Sequence, residues 1–474
     1  MQVEDGVVAV IKQDCPTCVL VDPVLKEIED AGMEVVVYVQ DEPDFPSASQ
    51  VIDDRELEHS YRLDIETVPT LIRMQGGQEQ QRIVGWQRDE WHALTGLSEI
   101  GTALPEYRPG CGSKSVEPGI AEQLAVRFGD AKFTSREVTV APLEDPVEAC
   151  YDREWSDGLP VVPPTETRVY RMLQGTTRDA QEVLGKMPPL HIDCTVEKVA
   201  INAVMAGCKP EYFPAVLAAV EAALDPAFCL HGLLATTWFS GPMCIVNGPV
   251  REAIGMNWRG YVFGQGNRQN ATIGRALQLT VRNVGGGKPQ ETDMSTFGTP
   301  AKYGWCFAED ESTPWRTLAE DRGVARDRSA VTVFSADGPL GVVDQKAREP
   351  EPLVASIAAS LCTLNHFSMA NAADAVLVIG PEHGRIFDQA GWSKADATAA
   401  LHKAARIKGQ DLGMGTSDAA DGPGEDDGML HKFREGGLIL VRAGGDAGLF
   451  SAIIPGWVMH GPLGTDPVTK EIRS

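Results

Sequence analysis

Cys15-Pro16-Thr17-Cys18 sets two thiols two residues apart, directly after an apolar run and at the start of a helical pattern. That position suits redox chemistry. Orphan N–H groups and the partial positive charge of a helix N-terminus stabilise a thiolate on Cys15. Such a thiolate attacks a disulfide, and Cys18 resolves the mixed disulfide that forms. A further thiol, Cys111, lies in Gly110-Cys111-Gly112-Ser113-Lys114. Glycines on both sides leave it sterically open, and the Lys114 charge is expected to lower its pKa.

The elements that must hold Cys15 and Cys18 are legible around them. Val7 to Ile11 is a continuous apolar run, as in a strand buried on both faces. Cys15 to Ala31 reads as a helix, with Pro16 in its first turn, Leu20, Val24 and Ile28 on one face, and Gly32 as its stop. Met33 to Val39 is a second buried strand. Asp53 to Leu63 reads as a helix, Thr70–Met74 and Arg82–Gly85 as a hairpin turning at Gly76-Gly77, and Gln87 to Leu97 as a closing helix.

This order, β-α-β-α-β-β-α, resembles the thioredoxin/glutaredoxin superfamily over residues 1–100. The likeness rests on the placement of Cys15 and Cys18 after the first strand and of Val68-Pro69 before the hairpin. It implies a thioredoxin fold, with Pro69 as a cis proline facing the dithiol and presenting the substrate thiol. Pro-Thr between the cysteines differs from the Gly-Pro of thioredoxin itself, and the module is short, closer to a glutaredoxin.

Residues 101–119 carry Pro105, Pro109, Pro118 and several glycines without periodicity, and read as a linker containing Cys111. Residues 120–474 alternate helix-like and strand-like runs, which predicts a larger α/β domain whose topology the pattern leaves open, in one lobe or two. Helices are expected at 195–206, 214–224, 270–284 (capped by Asn270), 353–364 and 394–406. Strands are expected at 233–237, 244–246, 330–334, 375–379 and 437–441. The acidic, glycine-rich stretch 417–428 reads as a surface loop.

Four segments of this part, Asp157 to Pro164, Thr195 to Cys208, Gly266 to Gly286 and Gly445 to Trp457, resemble the UGSC family, some of whose members carry selenocysteine. Cys111-Gly112-Ser113 matches the first three positions of the motif, with Cys111 in the selenocysteine place and Lys114 in that of the second cysteine. The likeness implies a redox-active site without its local resolving thiol, which the fused dithiol would supply.

Polar residues in glycine-rich turns are the usual ligand contacts of α/β enzymes, because backbone can approach a ligand there. Asn247, Asn257, Asn267, Arg268 and Asn270 stand in such turns, as does Gly444–Gly448. His383 follows the strand at 375–379 and is a candidate general acid or base. His191, Cys194, Cys208, Cys229 and His231 are soft donors, but their spacings fit no standard zinc pattern, so no metal and no cofactor is expected.

A net charge of −25 argues against a nucleic-acid partner or an anionic membrane. Ten cysteines in 474 residues are too sparse for a disulfide scaffold. The N-terminal sequence has no basic-then-apolar leader pattern, so the expected compartment is a reducing cytoplasm. Together these features predict a thiol-disulfide oxidoreductase. Its dithiol recycles an oxidised Cys111 serving a small-molecule site in the large domain, a cellular thiol system (thioredoxin reductase or glutathione) supplies electrons, and a homo-oligomer is allowed. Two alternatives stand beside it: a carbon–heteroatom lyase or hydrolase protected by the dithiol module, and a thiol or metal delivery protein.

Overall fold

The computed structural model describes residues 4–129, 131–365, 370, 373–408, 428–457 and 465–473. The stretch expected as an acidic surface loop lies outside them up to residue 427. The chain divides into two compact units, Met1–Lys132 and Phe133–Ser474, both of α/β composition.

The first unit begins with β1 (Gly6–Ile11), α1 (Pro16–Asp30), β2 (Val35–Val39), β3 (Val51–Asp53) and α2 (Glu58–Arg62). It continues with β4 (Thr67–Val68), β5 (Thr70–Gln75), β6 (Gln78–Val84), β7 (Trp86–Gln87) and α3 (Arg88–Thr95). The last elements are β8 (Tyr107–Arg108), β9 (Cys111–Gly112) and α4 (Ile120–Phe128). Five strands form a mixed sheet in the order β3-β2-β1-β5-β6. β1, β2 and β3 run parallel, and β5 and β6 form an antiparallel hairpin against β1. Every residue of β1 and β2 is buried, as their unbroken apolar sequences require. Val21, Val24, Leu25 and Ile28 of α1 pack on the sheet, with the edge-to-face pair Trp86–Trp91 in the same core.

The expectation of a linker at 101–119 is corrected. The segment is part of the first unit and is fastened to it along its length. β8 pairs with β7, and β9 pairs with β4. The Trp86 indole donates to Pro105 O (2.6 Å), and the Ser113 N–H to Glu66 O (2.9 Å).

The second unit opens with α5 (Pro146–Asp152), α6 (Glu166–Leu173), β10 (Val183–Met187), β11 (Ile192–Thr195), α7 (Val196–Ala206) and α8 (Phe213–Leu224). Next come α9 (Leu230–Ala235), β12 (Gly241–Asn247), α10 (Val250–Ala253), α11 (Arg268–Gly285), β13 (Trp305–Ala308) and α12 (Leu318–Asp321). Then follow β14 (Ala330–Ala336), β15 (Leu340–Val343), α13 (Pro350–Leu361), β16 (Ala373–Ile379), α14 (Pro381–Gln389) and α15 (Lys394–Ala404). The chain ends with β17 (Arg406–Lys408), β18 (Met429–His431), β19 (Phe433–Arg442), β20 (Phe450–Pro455) and β21 (Val468–Glu471).

Two four-stranded sheets, β13-β12-β14-β21 and β15-β20-β16-β19, form the middle of this unit. Alternation along each strand gives every sheet two apolar faces. Cys244 and Val246 of β12 join α7, α8 and α11 in one core, and Leu377 and Ile379 of β16 join α13 and α15 in another. The intervening residues Met243, Ile245, Val376 and Val378 meet between the sheets with Phe307 and Phe334. The result is a helix–sheet–sheet–helix stack. Residues 233–237, expected as a strand, instead contribute to the short helix α9. An apolar run that short has no periodicity to separate the two states. Among the described residues no single helix is long and apolar enough to cross a membrane.

Phe307 is fully buried between the sheets and meets Phe263 edge to face (5.1 Å). Phe307→Ala is expected to cost about 3–5 kcal/mol, measured by urea unfolding. A loss below about 1 kcal/mol would show that this side chain does not join the two sheets.

Candidate active site

Cys15 is the N-cap of α1, and its sulfur accepts the Cys18 N–H (3.4 Å). The turn before it is clamped by Asp41, whose carboxylate accepts the N–H groups of Gln13 (2.7 Å) and Asp14 (3.0 Å). Pro69 lies between β4 and β5, after a cis Val68–Pro69 bond. The Val68 carbonyl is 3.6 Å from the Cys15 sulfur. In the β4–β9 ladder Val68 is paired with Cys111.

Cys111 therefore arrives beside the dithiol, opposite the residue whose carbonyl meets the Cys15 sulfur, and the two thiols act on each other's ionisation. The expectation that it sits at the edge of the large domain is corrected: it belongs to the first unit. Four hydrogen bonds hold it there. The Thr17 hydroxyl donates to Pro109 O (2.7 Å). The buried Gln40 amide donates to Ser113 Oγ (2.6 Å) and accepts the Lys114 N–H (3.0 Å). Ser115 Oγ donates to Ile65 O (2.6 Å). Glycine is required at 110, because a Cβ there would lie 2.5 Å from Thr67 Cγ2 and 2.8 Å from Val68 O. It is also required at 85, where φ is +76° and a Cβ would meet Gly110 N at 2.9 Å.

The three thiols differ in electrostatics. Burial pushes the Cys15 thiol up, but hydrogen bonds from the Cys111 side chain, Cys18 and the Thr17 backbone outweigh it, and the net shift is downward. Burial raises Cys18, and the nearby Cys15 adds to the rise. Cys111 is raised first by its hydrogen bond to Cys15 and then by burial. Lys12, not Lys114, is the lysine whose charge acts on Cys111; the Lys114 ammonium is 4.0 Å from Asp41. Cys15 and Cys18 have no exposed surface, whereas Cys111 is half-buried.

In the second unit the candidate residues are held by the protein itself. Asn267, rather than the expected Asn270, caps α11 and accepts the Asn270 N–H (3.0 Å). Asn270 in turn bonds the backbone of Asn257 through both amide atoms (2.8 and 3.1 Å). Arg268 donates to Gly207 O (2.8 Å). These bonds bring Asn257, Asn267 and Asn270 together as a fastening of the turns before α11. His383, the candidate general acid or base, is fully buried in α14, between Ser451 Oγ (2.8 Å) and Asp344 O (3.1 Å). Gly445 of the last glycine turn packs on Gly260.

Asn247 ends β12 and donates to Glu309 (2.7 Å) and Glu311 (3.0 Å), beyond the carboxyl end of the parallel strand β13. Arg251 and Lys394 add their charges at 3.0 and 3.9 Å. Burial raises the Glu309 carboxyl, against the opposing pull of Lys394 and of its hydrogen bonds. Of this cluster only Asn247 is a candidate by sequence; the signal for Glu309 and Glu311 is the acidic run after the apolar Trp305–Ala308. Cys208 and Cys194 are packed thiols, pushed by burial to about 12. Among the described residues no three His, Cys, Asp or Glu side chains are arranged to hold a metal ion.

No family model, curated protein or solved structure matches this chain.

Cys111→Ala removes a neighbour that holds the Cys15 thiol down. The Cys15 titration, followed by ultraviolet thiolate absorbance in this variant and in the parent, is expected to move to higher pH. An unmoved inflection would show that Cys111 does not stabilise the anion. Gly110→Ala is expected to slow disulfide formation between Cys15 and Cys111 under a mild oxidant by displacing β9 from Val68; an unchanged rate would contradict it.

Proposed function

We propose that the first unit is a thioredoxin-like dithiol module that recycles Cys111, and that the protein is a thiol-disulfide oxidoreductase. The observation that carries the reading is the pairing of Cys111 with Val68, whose carbonyl lies 3.6 Å from the Cys15 sulfur, with Cys18 in the first turn of α1. The sheet order, the parallel β1 and β2, the antiparallel hairpin and the place of Pro69 support the thioredoxin-like assignment. The UGSC-like resemblance is retained as a proposal for the second unit. The Cys111 motif that it shares lies in the first unit.

The relay runs in three steps. Cys111, the thiol with exposed surface, is oxidised to Cys111–S–X by a sulfur-oxidising or disulfide substrate. The Cys15 thiolate attacks the Cys111 sulfur, forms the Cys15–Cys111 bond and expels X as its anion. Cys18 then attacks the Cys15 sulfur, its proton passing to the departing Cys111, and leaves a Cys15–Cys18 disulfide. A cellular thiol reductant returns two electrons and two protons to that disulfide. All three sulfurs lie in one unit, so the relay needs no movement of a second domain.

Cys18→Ser removes the last step. After mild oxidation, non-reducing peptide mass spectrometry of this variant is expected to find Cys15–Cys111 as the dominant intramolecular link. Cys15 left free, or linked only to glutathione, would overturn the relay.

A further inference from the structure

The second unit contains a cavity of about 850 Å³ that takes no part in the thiol chemistry. Its floor is α7 and α11, with Ile201, Met205 and Val284 facing it. Trp155 and Val169 line its sides, and one wall is the irregular segment 133–140. A single buried carboxylate fixes the start of that segment. Glu197, with no exposed surface, accepts the N–H groups of Thr134 (3.0 Å) and Ser135 (2.8 Å) and the Gln181 side-chain amide (2.5 Å).

The lining specifies the chemistry of an occupant. The volume falls in the range of small-molecule sites, and the walls are mainly apolar. Its deeper charges are already matched: Arg153 pairs with Glu144 (3.1 Å), Lys198 donates to Asp193 O (2.7 Å), and Glu197 is saturated as above. A charged ligand at this depth would displace one of these partners at a desolvation cost. Exposed Arg136, Glu137 and Glu166 add charges of both signs at the rim. Two polar side chains inside remain for a ligand, Ser135, whose Oγ is buried without a partner among the described residues, and Asn283. Asn283 donates through Nδ2 to Trp155 O (3.0 Å) and Asn202 Oδ1 (2.8 Å). A carbonyl only accepts, so the amide orientation is fixed, and Oδ1 is directed elsewhere without a protein donor among the described residues.

We infer that this cavity binds an uncharged, largely apolar small molecule carrying one hydrogen-bond donor for Asn283. The inference is independent of the thiol relay. N-phenyl-1-naphthylamine, a neutral aromatic amine with one N–H and fluorescence that rises in apolar surroundings, is a suitable probe. The full chain is expected to bind it at one saturable site. Ile201→Trp and Val140→Trp, which fill the cavity from floor and wall, are each expected to weaken binding about tenfold, or about 1.4 kcal/mol. Circular dichroism and the thermal transition check the fold of each variant. Val140 lies on an exposed segment, so its replacement decides the question if Ile201→Trp does not fold. Absence of saturable binding to the parent, or parental affinity in the folded fillers, would overturn the inference.

Discussion

A thiolate with no exposed surface needs donors from the protein, and the first unit is arranged around supplying them to Cys15. Water cannot solvate the anion, so the burial penalty must be offset by hydrogen bonds. Two donors are local, the Cys18 and Thr17 N–H groups at the start of α1. A third contribution, from Cys111, comes from far along the chain and is brought there because β9 is laid against Val68. The Val68 carbonyl, 3.6 Å from the Cys15 sulfur, completes the surroundings of that thiol.

The close approach at Gly110 is the steric condition for this arrangement. A side chain there would collide with Thr67 and Val68, and one at Gly85 would collide with Gly110 itself. Polar contacts with Gln40, Ile65 and Thr17 then fix the strap on both sides of Cys111. Gln40 stands at the end of β2 and Thr17 in the first turn of α1, so the strap is registered directly on the sheet and helix that place Cys15. The second unit uses the same device at larger scale. Single buried polar side chains, Glu197 and Asn247 among them, gather segments that their own sequence would not order.

Elements with a repeating apolar pattern were legible in the sequence: β1, β2, α1, α7 and β16 fall where their residues predict. So was the dithiol, whose two members share one turn. The strap was not. Its strands are two residues long, too short to show a period, and its order comes from tertiary bonds to Trp86, Gln40 and Thr17. Nothing local reports that Cys111 meets Cys15, because the link is made by the register of β4 with β9. The N-cap of α11 was misplaced from Asn267 to Asn270 because either asparagine serves as a cap by type, and only backbone geometry distinguishes them. The surroundings of His383 are hidden for a similar reason. Its position after a strand is local, but its burial and its two partners come from β20 and the turn after β15, which the local pattern does not contain.

The unequal thiols also give the proposed relay a branch. In a Cys15–Cys111 disulfide, Cys15 is the better leaving group, because the sulfur with the lower pKa departs faster. An outside thiol RSH that reaches the half-buried Cys111 would therefore expel Cys15 and leave a Cys111–S–SR mixed disulfide, and a second RSH attacking its outer sulfur would release RSSR and free Cys111 without Cys18. Cys18 takes the other route, attacking Cys15 from within the same helical turn, but its raised pKa keeps it mostly protonated. Its advantage is proximity, which converts a bimolecular step into an intramolecular one. Which route dominates then depends on the concentration and size of the external thiol. A small, abundant thiol favours direct attack on Cys111. A protein reductant excluded from the β4–β9 edge must wait for the Cys15–Cys18 bond.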